Sequence, residues 1–232
     1  SSTLTNSVYN WEFLPAQADF DVYSALPPYT LHVHRDAASA WQFTDAIVNN
    51  LKFEIAGGAI VKCTASMLCR VSSLQAKVTP SYPSGQGWVW DACSYSIAGV
   101  ANGDIENLAI EIDNGISGVT LLNATRLHGK YKRGGHRKFK VSGNMLFESL
   151  SEYNIFRAST SQALIATLTG DTVATSYNNT LKFDLPEVRY KSLPISINGP
   201  GALKVAFDGE PIYNMASSYA LRTTLVNTRA TY

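Results

Sequence analysis

Two stretches of strict alternation constrain this chain more than anything else in it. In Leu108-Ala-Ile110-Glu-Ile112-Asp113 the three aliphatic side chains share one face, and Glu111 and Asp113 share the other. In Phe139-Lys-Val141-Ser-Gly143-Asn-Met145-Leu-Phe147 the apolar residues again fall on one parity, while Lys138, Lys140, Ser142, Asn144 and Glu148 point the opposite way. Successive side chains alternate across a strand, so both stretches read as strands of a half-buried sheet. The first breaks at Asp113-Asn114-Gly115. Between the two lies a basic segment, Arg126 to Lys140, in which Lys130, Lys132, Arg133, His136, Arg137 and Lys138 surround Gly134-Gly135. That pattern predicts a charged, glycine-tipped loop projecting from a β-body.

The rest of the chain agrees with a mainly β fold. Leu51-Lys-Phe53-Glu-Ile55, Gly57-Gly58 and the alternating run from Ala59 to Val71 predict a hairpin with a diglycine turn. Tyr29 to Arg35 predicts a short strand after Pro27-Pro28. Residues 36–50 fit either a helix capped by Asp36 or a strand carrying Trp41, Phe43 and Ile47. Ser149-Leu-Ser-Glu152 has capping-box spacing for a short helix to about Ser159, with Leu150, Tyr153 and Phe156 as its apolar stripe. Further strands are predicted over 163–168, 181–185, 193–197, 203–207 and 219–226. The breakers between them are Gly170-Asp171, Asn178-Asn179, Pro186, Asn198-Gly199-Pro200-Gly201 and Asp208-Gly209. Residues 1–35, mixing aromatics with prolines, read as an N-terminal extended arm, and 36–232 as the β-domain.

Charge and chemistry exclude more than they suggest. A net charge of +1 leaves any electrostatic partner to be sought locally. Cys63 and Cys69 share a face with Val61, Ala65, Met67 and Val71, which predicts buried, reduced thiols and no zinc spacing. With no signal-peptide pattern and no long apolar run, the expectation is a soluble protein folding in a reducing cytoplasm. His32 and His34 share a face without a third ligand, so no metal site is expected. Phosphate-binding glycine loops, the nucleophile elbow and His-Glu-x-x-His are absent, and no nucleophile–base pair stands out, so neither an enzyme nor a cofactor is expected. Trp88 and Trp90 read as packing anchors. Asn123-Ala-Thr125 and Asn178-Asn-Thr180 fit the glycosylation pattern but carry little without a secretory signal.

The basic segment is the one charge cluster. It suits docking onto an acidic protein surface better than nucleic acid, because only Tyr131 interleaves it for stacking. A solvated loop is the plain alternative. Asp19, Asp21, Asp104, Glu106, Glu111 and Asp113 are the acidic candidates for the opposing face. An internal echo relates Thr64-Ala-Ser-Met-Leu-Cys-Arg70 to Ser142-Gly-Asn-Met-Leu-Phe-Glu148, with Met-Leu recurring 78 residues later and Leu68 and Leu146 both breaking the polar parity. It raises a duplicated hairpin unit around 51–72 and 126–148 as an expectation.

The succession Ile110-Glu-Ile-Asp-Asn-Gly115, Gly134-Gly135, Phe139 to Phe147 and Tyr153-Asn-Ile-Phe156 resembles the major tail tube proteins of long-tailed, siphovirus-like bacteriophages. So does the ending, from Leu181-Lys-Phe-Asp-Leu-Pro186 through Gly199-Pro-Gly201 and Tyr213 to Tyr232. The resemblance covers the chain from about Pro27 onward. It implies a β-barrel or sandwich of tail-tube type, related to the type VI secretion tube protein, with one short flanking helix and a long protruding loop. It further implies subunits that form rings of six, or of three with pseudo-six-fold symmetry, stacked into the virion's tail tube. Such tubes are assembled in the bacterial host cytoplasm, with tape-measure and tail-tip or terminator proteins as partners. Double-stranded DNA passes through non-specifically at ejection, and this chain inserts into no membrane. Lys130, Lys132, Arg133, Gly134, Gly135, His136, Arg137 and Lys138 are then the ring-stacking candidates, and Glu111 and Asp113 the lumen candidates. A lumen that lets DNA slide is expected to be acidic or neutral, with Lys and Arg lying away from it. A distal-tail or terminator ring, or a monomeric ligand-binding β-sandwich, is the alternative.

Overall fold

A computed structural model describes residues 8–15, 26–35, 39–81, 87–122, 127–148, 150–174, 176–195 and 202–230, and the backbone of 2–5. The chain opens with β1 (Ser2–Thr5), β2 (Val8–Phe13), β3 (Tyr29–His34) and the long β4 (Ser39–Ala56). Gly58, at φ +76°, turns it back as β5 (Lys62–Leu68), which a break at Cys69-Arg70 separates from β6 (Val71–Ala76). A 3-10 turn at Trp90–Ala92 leads to β7 (Cys93–Ile97), β8 (Val100–Asn102) and β9 (Ile105–Asp113). A small hairpin, β10 (Ile116–Val119) with β11 (Lys130–Arg133), precedes β12 (Lys138–Leu146) and the short helix α1 (Ser151–Arg157). Strands β13 (Gln162–Ala174), β14 (Tyr177–Ser192), β15 (Lys204–Pro211) and β16 (Arg222–Asn227) complete it.

The two alternating stretches are β9 and β12, and they pair directly. Ile110 lies opposite Val141 and Ile112 opposite Phe139. Leu108, Ile110, Val141 and Met145 are buried, as their parity demands. Gly143 is required where it stands, since a β-carbon there would run into the Asn107 carbonyl and come within 3.0 Å of the Phe207 ring.

Strand β14 turns one antiparallel sheet into two layers. Residues 180–184 pair with β16 on one edge while β13 occupies the other; from Val188 on, β15 takes over from β16. One layer therefore runs β8-β7-β13-β14-β16-β2-β1, and the other β14-β15-β12-β9-β4-β5. Their inner faces meet in a single core, in which Phe53 of β4 packs on Phe183 of β14 with ring centroids 4.8 Å apart. The architecture is a mainly β sandwich with one helix; no closed barrel is present among the described residues, and β1, β3, β5, β6 and β8 each pair along one edge only. Each fully buried Phe, Leu or Ile in the core contributes about 1.5–3 kcal/mol.

Several expectations need correction. Residues 39–50 are strand, and Asp36 lies outside the described residues. Pro186 does not end a strand: it sits inside β14 at the hand-over from β16 to β15, where the register of the β13 pairing also shifts, so its missing N–H costs no ladder bond. Gly170-Asp171, Asn178-Asn179 and Asp208-Gly209 likewise fall within strands, the first at a bulge of β13. Residues 193–195 are irregular, although Leu193 is buried, and Asn198 to Gly201 lie outside the described residues. Helix α1 starts after Leu150, which makes no side-chain cap bond; Ser149 lies outside the described residues, and Glu152 instead accepts hydrogen bonds from Tyr190 Oη (2.8 Å) and Gln162 Nε2 (2.7 Å). Cys63 is exposed rather than buried, because β5 is an edge strand whose inner face overhangs the opposite layer. Trp88 anchors as expected, its Nε1 donating to the Asn179 carbonyl at 3.3 Å, whereas Trp90 is half exposed.

Candidate assembly surfaces

The outer face of the β15-β12-β9-β4-β5 layer is a broad polar surface. Its parity carries Lys204, Asp208 and Glu210 on β15, Lys138 and Lys140 on β12, Glu111 and Asp113 on β9, Lys52 and Glu54 on β4, and Lys62 on β5. Small residues, Ala206, Ser142, Ala109, Thr64 and Ser66, fill the gaps. The charges are matched along and across strands: Lys52 with Glu54 (2.7 Å), Lys140 with Asp208 (3.1 Å), Lys191 with Glu210 (2.7 Å) and Lys204 with Glu106 (2.5 Å). The hydrogen bond between Lys52 and Glu54 raises the lysine's pKa and lowers the carboxylate's; Glu210 likewise raises that of Lys191. Glu111 accepts from Asn50 Nδ2 at 2.6 Å, and Asp113 accepts from the Gly115 N–H at 2.8 Å, closing an Asx turn. Both lumen candidates thus lie on this face, in a mosaic that includes lysines.

The basic segment is built differently from the expectation. Gly134-Gly135 forms the base of the β10–β11 hairpin and not a tip. Both N–H groups donate to the carbonyl of Gly115, which holds φ +61° (2.7 and 3.1 Å). Ile116 and Tyr131 are buried against Ile47, with Leu68 packed alongside, in a second small core. The same contact explains why Leu68 sits on an otherwise polar parity. Asn114 locks the base by donating Nδ2 to the Val48 carbonyl and accepting from Arg137 Nε at 2.9 Å. Arg137 is half-buried, and burial lowers its pKa, with Arg133 as the second cause. Lys130, Lys132, Arg133, Gly134, Gly135, His136 and Lys138 are exposed. The structure therefore gathers Lys130, Lys132 and Arg133 on one hairpin, leaves His136 and Lys138 just beyond its base and half-buries Arg137. Residues 123–126, Asp19 and Asp21 lie outside the described residues.

Two surfaces escaped the sequence reading. Strands β3, the first half of β4 and β6 form a three-stranded extension, with Val33, Trp41 and Leu74 aligned in one cross-strand row and Leu31 beside Phe43 in the next. Trp41 is 42% and Leu74 58% exposed, so the row faces solvent in a single copy. Alternation from Trp41 to Phe43 carried that signal. On the opposite side of the extension His32, Gln42 and Ser73 form a polar row, with the His32 and Gln42 side chains 3.3 Å apart. The second surface is a cleft of about 510 Å³ between the layers, lined by Phe13, Tyr29, Leu51, Phe53, Leu225 and others. Among the described residues no group of three His, Cys, Asp or Glu side chains is placed to hold a metal, and no helix is long and apolar enough to cross a membrane.

This mainly β sandwich, with its free edges and paired polar face, matches a family model described as phage tail tube protein over residues 10–211. The chain belongs to the phage tail tube protein family. No curated protein matches its sequence. As a tail tube protein it is a structural component of the virion tail, and the family is a structural one in which subunits assemble into a tube with other tail components. Its match spans both layers and every strand from the middle of β2 to the end of β15.

Proposed function

We propose that this tail tube protein polymerises as stacked rings, of six copies or of three with pseudo-six-fold symmetry. The outer face of the β15-β12-β9-β4-β5 layer lines the lumen. The observation that carries this reading is that face itself: a broad array of strands with several matched charges, on a chain of the phage tail tube protein family. A wall of unpaired lysines would hold phosphates and release counterions, slowing passage. Here Lys52, Lys140 and Lys204 are retained but engaged by carboxylates, while Lys62 and Lys138 make no ion pair among the described residues, so the charge of the lumen is moderated by pairing rather than by exclusion of lysine. Glu111 and Asp113 add negative charge to the same face, held by hydrogen bonds from Asn50 and the Gly115 N–H.

The free edges of β5, β6 and β3 supply strand pairing between neighbours, and the exposed row of Val33, Trp41 and Leu74 is covered by an adjacent copy. The basic hairpin docks successive rings. Residues 36–232 act as the tube domain with 1–35 as an arm; the duplication of a hairpin unit is the route by which three copies would mimic six. Tape-measure, tip and terminator proteins are the expected partners, and duplex DNA the transient cargo, without a cofactor or catalysis. Negative-stain electron microscopy over a concentration series tests this. Hollow tubes with six-fold top views are expected. Single rings that never lengthen would instead indicate a terminator, and a persistent monomer would count against assembly.

A further inference from the structure

The long hairpin of β4 and its return strand is interrupted on every strand at one level. Asp45 holds φ +53° in the middle of the 18-residue β4, in the left-handed region that residues other than glycine rarely adopt. The return strand breaks directly opposite. Strand β5 ends with Leu68 against Ile47, and β6 begins with Val71 against Thr44. Asp45-Ala46 and Cys69-Arg70 lie between those pairs, with no ladder pair joining them. Strand β3 slips at the same height: it advances two residues, from Tyr29 to Leu31, while its partners on β4 advance three, from Ala46 to Phe43. One such irregularity bends a strand; three at the same level divide the sheet.

Little fastens the two parts across that level. The Arg70 N–H reaches the Thr44 carbonyl at 3.4 Å, longer than a well-formed hydrogen bond. Arg70 Nη1 and Asp45 Oδ2 stand 3.8 Å apart with both side chains more than a third exposed, a pair that contributes little in water. Arg70 Nε is buried without a hydrogen-bond partner among the described residues, so this orientation leaves a polar group unsatisfied at the joint. On the body side, β4 is gripped by β5 and β9, and Ile47 is buried with Ile116 and Tyr131. Beyond the level, no residue of β3, of 39–44 or of β6 enters either core. Those three strands are nevertheless in continuous register with one another, through Val33, Trp41 and Leu74.

From this we infer that the extension is hinged: β3, residues 39–44 of β4 and β6 turn as one rigid unit about Asp45-Ala46 and Cys69-Arg70. A hinge needs only a few residues that absorb the change in backbone angles, and these four are where the ladder already lapses. In the free subunit the unit samples a range of orientations relative to the sandwich. A neighbour that covers the row of Val33, Trp41 and Leu74 selects one of them. That second step rests on the tube reading; the hinge itself does not.

Pulsed electron spin resonance on dilute, unassembled subunits tests the hinge. Nitroxides are placed at Ala76→Cys on β6 and Thr169→Cys on β13, both exposed, with Cys63, Cys69 and Cys93 replaced by alanine. Lys62→Cys on β5 with Thr169→Cys is the control pair inside the sandwich. Ala76 lies six residues beyond Arg70, about 20 Å away, so a turn of about 15° displaces it by about 5 Å. The extension-to-sandwich distances are expected to spread more widely than the control by about that amount in free subunits, and to narrow to the control width in tubes. Equal widths in free subunits would overturn the hinge. A spread that persists in tubes would overturn selection by a neighbour and leave the hinge standing, and a chain that forms no tubes at any concentration would overturn the tube reading and that selection together. Hydrogen exchange on the unsubstituted chain supplies an arm free of labels. The amides of Asp45 and Ala46 are expected to exchange at least about ten-fold faster than those of Trp41 to Phe43, which lie between β3 and β6. Equal rates would mean that the extension frays instead of turning, and would overturn the rigid unit.

Discussion

Asp184 is the most telling single residue in the sandwich. It is buried on β14, yet it accepts from Arg222 Nη2 at 2.6 Å and from Tyr219 Oη at 2.9 Å, and Arg222 lies 4.8 Å from the Tyr219 ring centroid. The three residues tie the start of β16 to the middle of β14. Asp184→Asn keeps the shape and removes the charge, and should cost about 1.5–3 kcal/mol in urea unfolding. An unchanged midpoint would show that the pair contributes nothing net. Tyr190 reports on pH. Burial, then the neighbouring Glu152 charge, then the hydrogen bond to Glu152 push its phenol well above the usual tyrosine range, and burial does the same to Tyr95. A raised folded-state pKa means that the unfolded chain loses its proton first. Stability from these groups is therefore complete below about pH 10 and falls as pH climbs beyond it. Tyr190→Phe should flatten that alkaline decline while costing about 1 kcal/mol at neutral pH for the lost bond to Glu152. An equally steep decline in the variant would remove Tyr190 from the account.

At the scale of elements, Gly143 joins β9, β12 and β15 at one point. Gly143→Ala should destabilise by about 1–3 kcal/mol, since the Asn107 carbonyl cannot give way without breaking the ladder; thermal unfolding measures it, and no loss would mean that the strands slide freely. This junction was legible in outline. Leu108, Ile110, Val141 and Met145 announced their strands because each faces a core on one side and water on the other. Pro186 and Asp208-Gly209 misled for the converse reason: they sit where pairing partners change or where a layer is held from both sides, so tertiary context overrode turn chemistry. The β10–β11 hairpin was hidden inside a run of charge. Its signal was Tyr131 between Lys130 and Lys132, one apolar side chain alternating with cations, which needs Ile47 opposite to be recognised as buried. The Cys63 face failed because sequence parity shows which side is apolar but not whether anything covers it.

For the whole molecule, the lumen assignment makes a claim about charge rather than shape. Ser66 and Ala206 lie on the polar face, on β5 and β15, outside every ion pair described above. Ser66→Lys with Ala206→Lys should leave tubes able to assemble but make them retain short duplex DNA, with the retention falling steeply as salt rises. Tubes of the double variant that hold no more DNA than wild type would place the lumen on another face. The sheet order carries one last consequence. Strand β16, near the end of the chain, lies between β14 and β2, so β2 reaches the sheet only through it. During synthesis β2 has no edge of this sheet to join until β16 has been made. A subunit lacking β16 would leave β2 and β1 with no edge to join and one edge of β14 unpaired over residues 180–184.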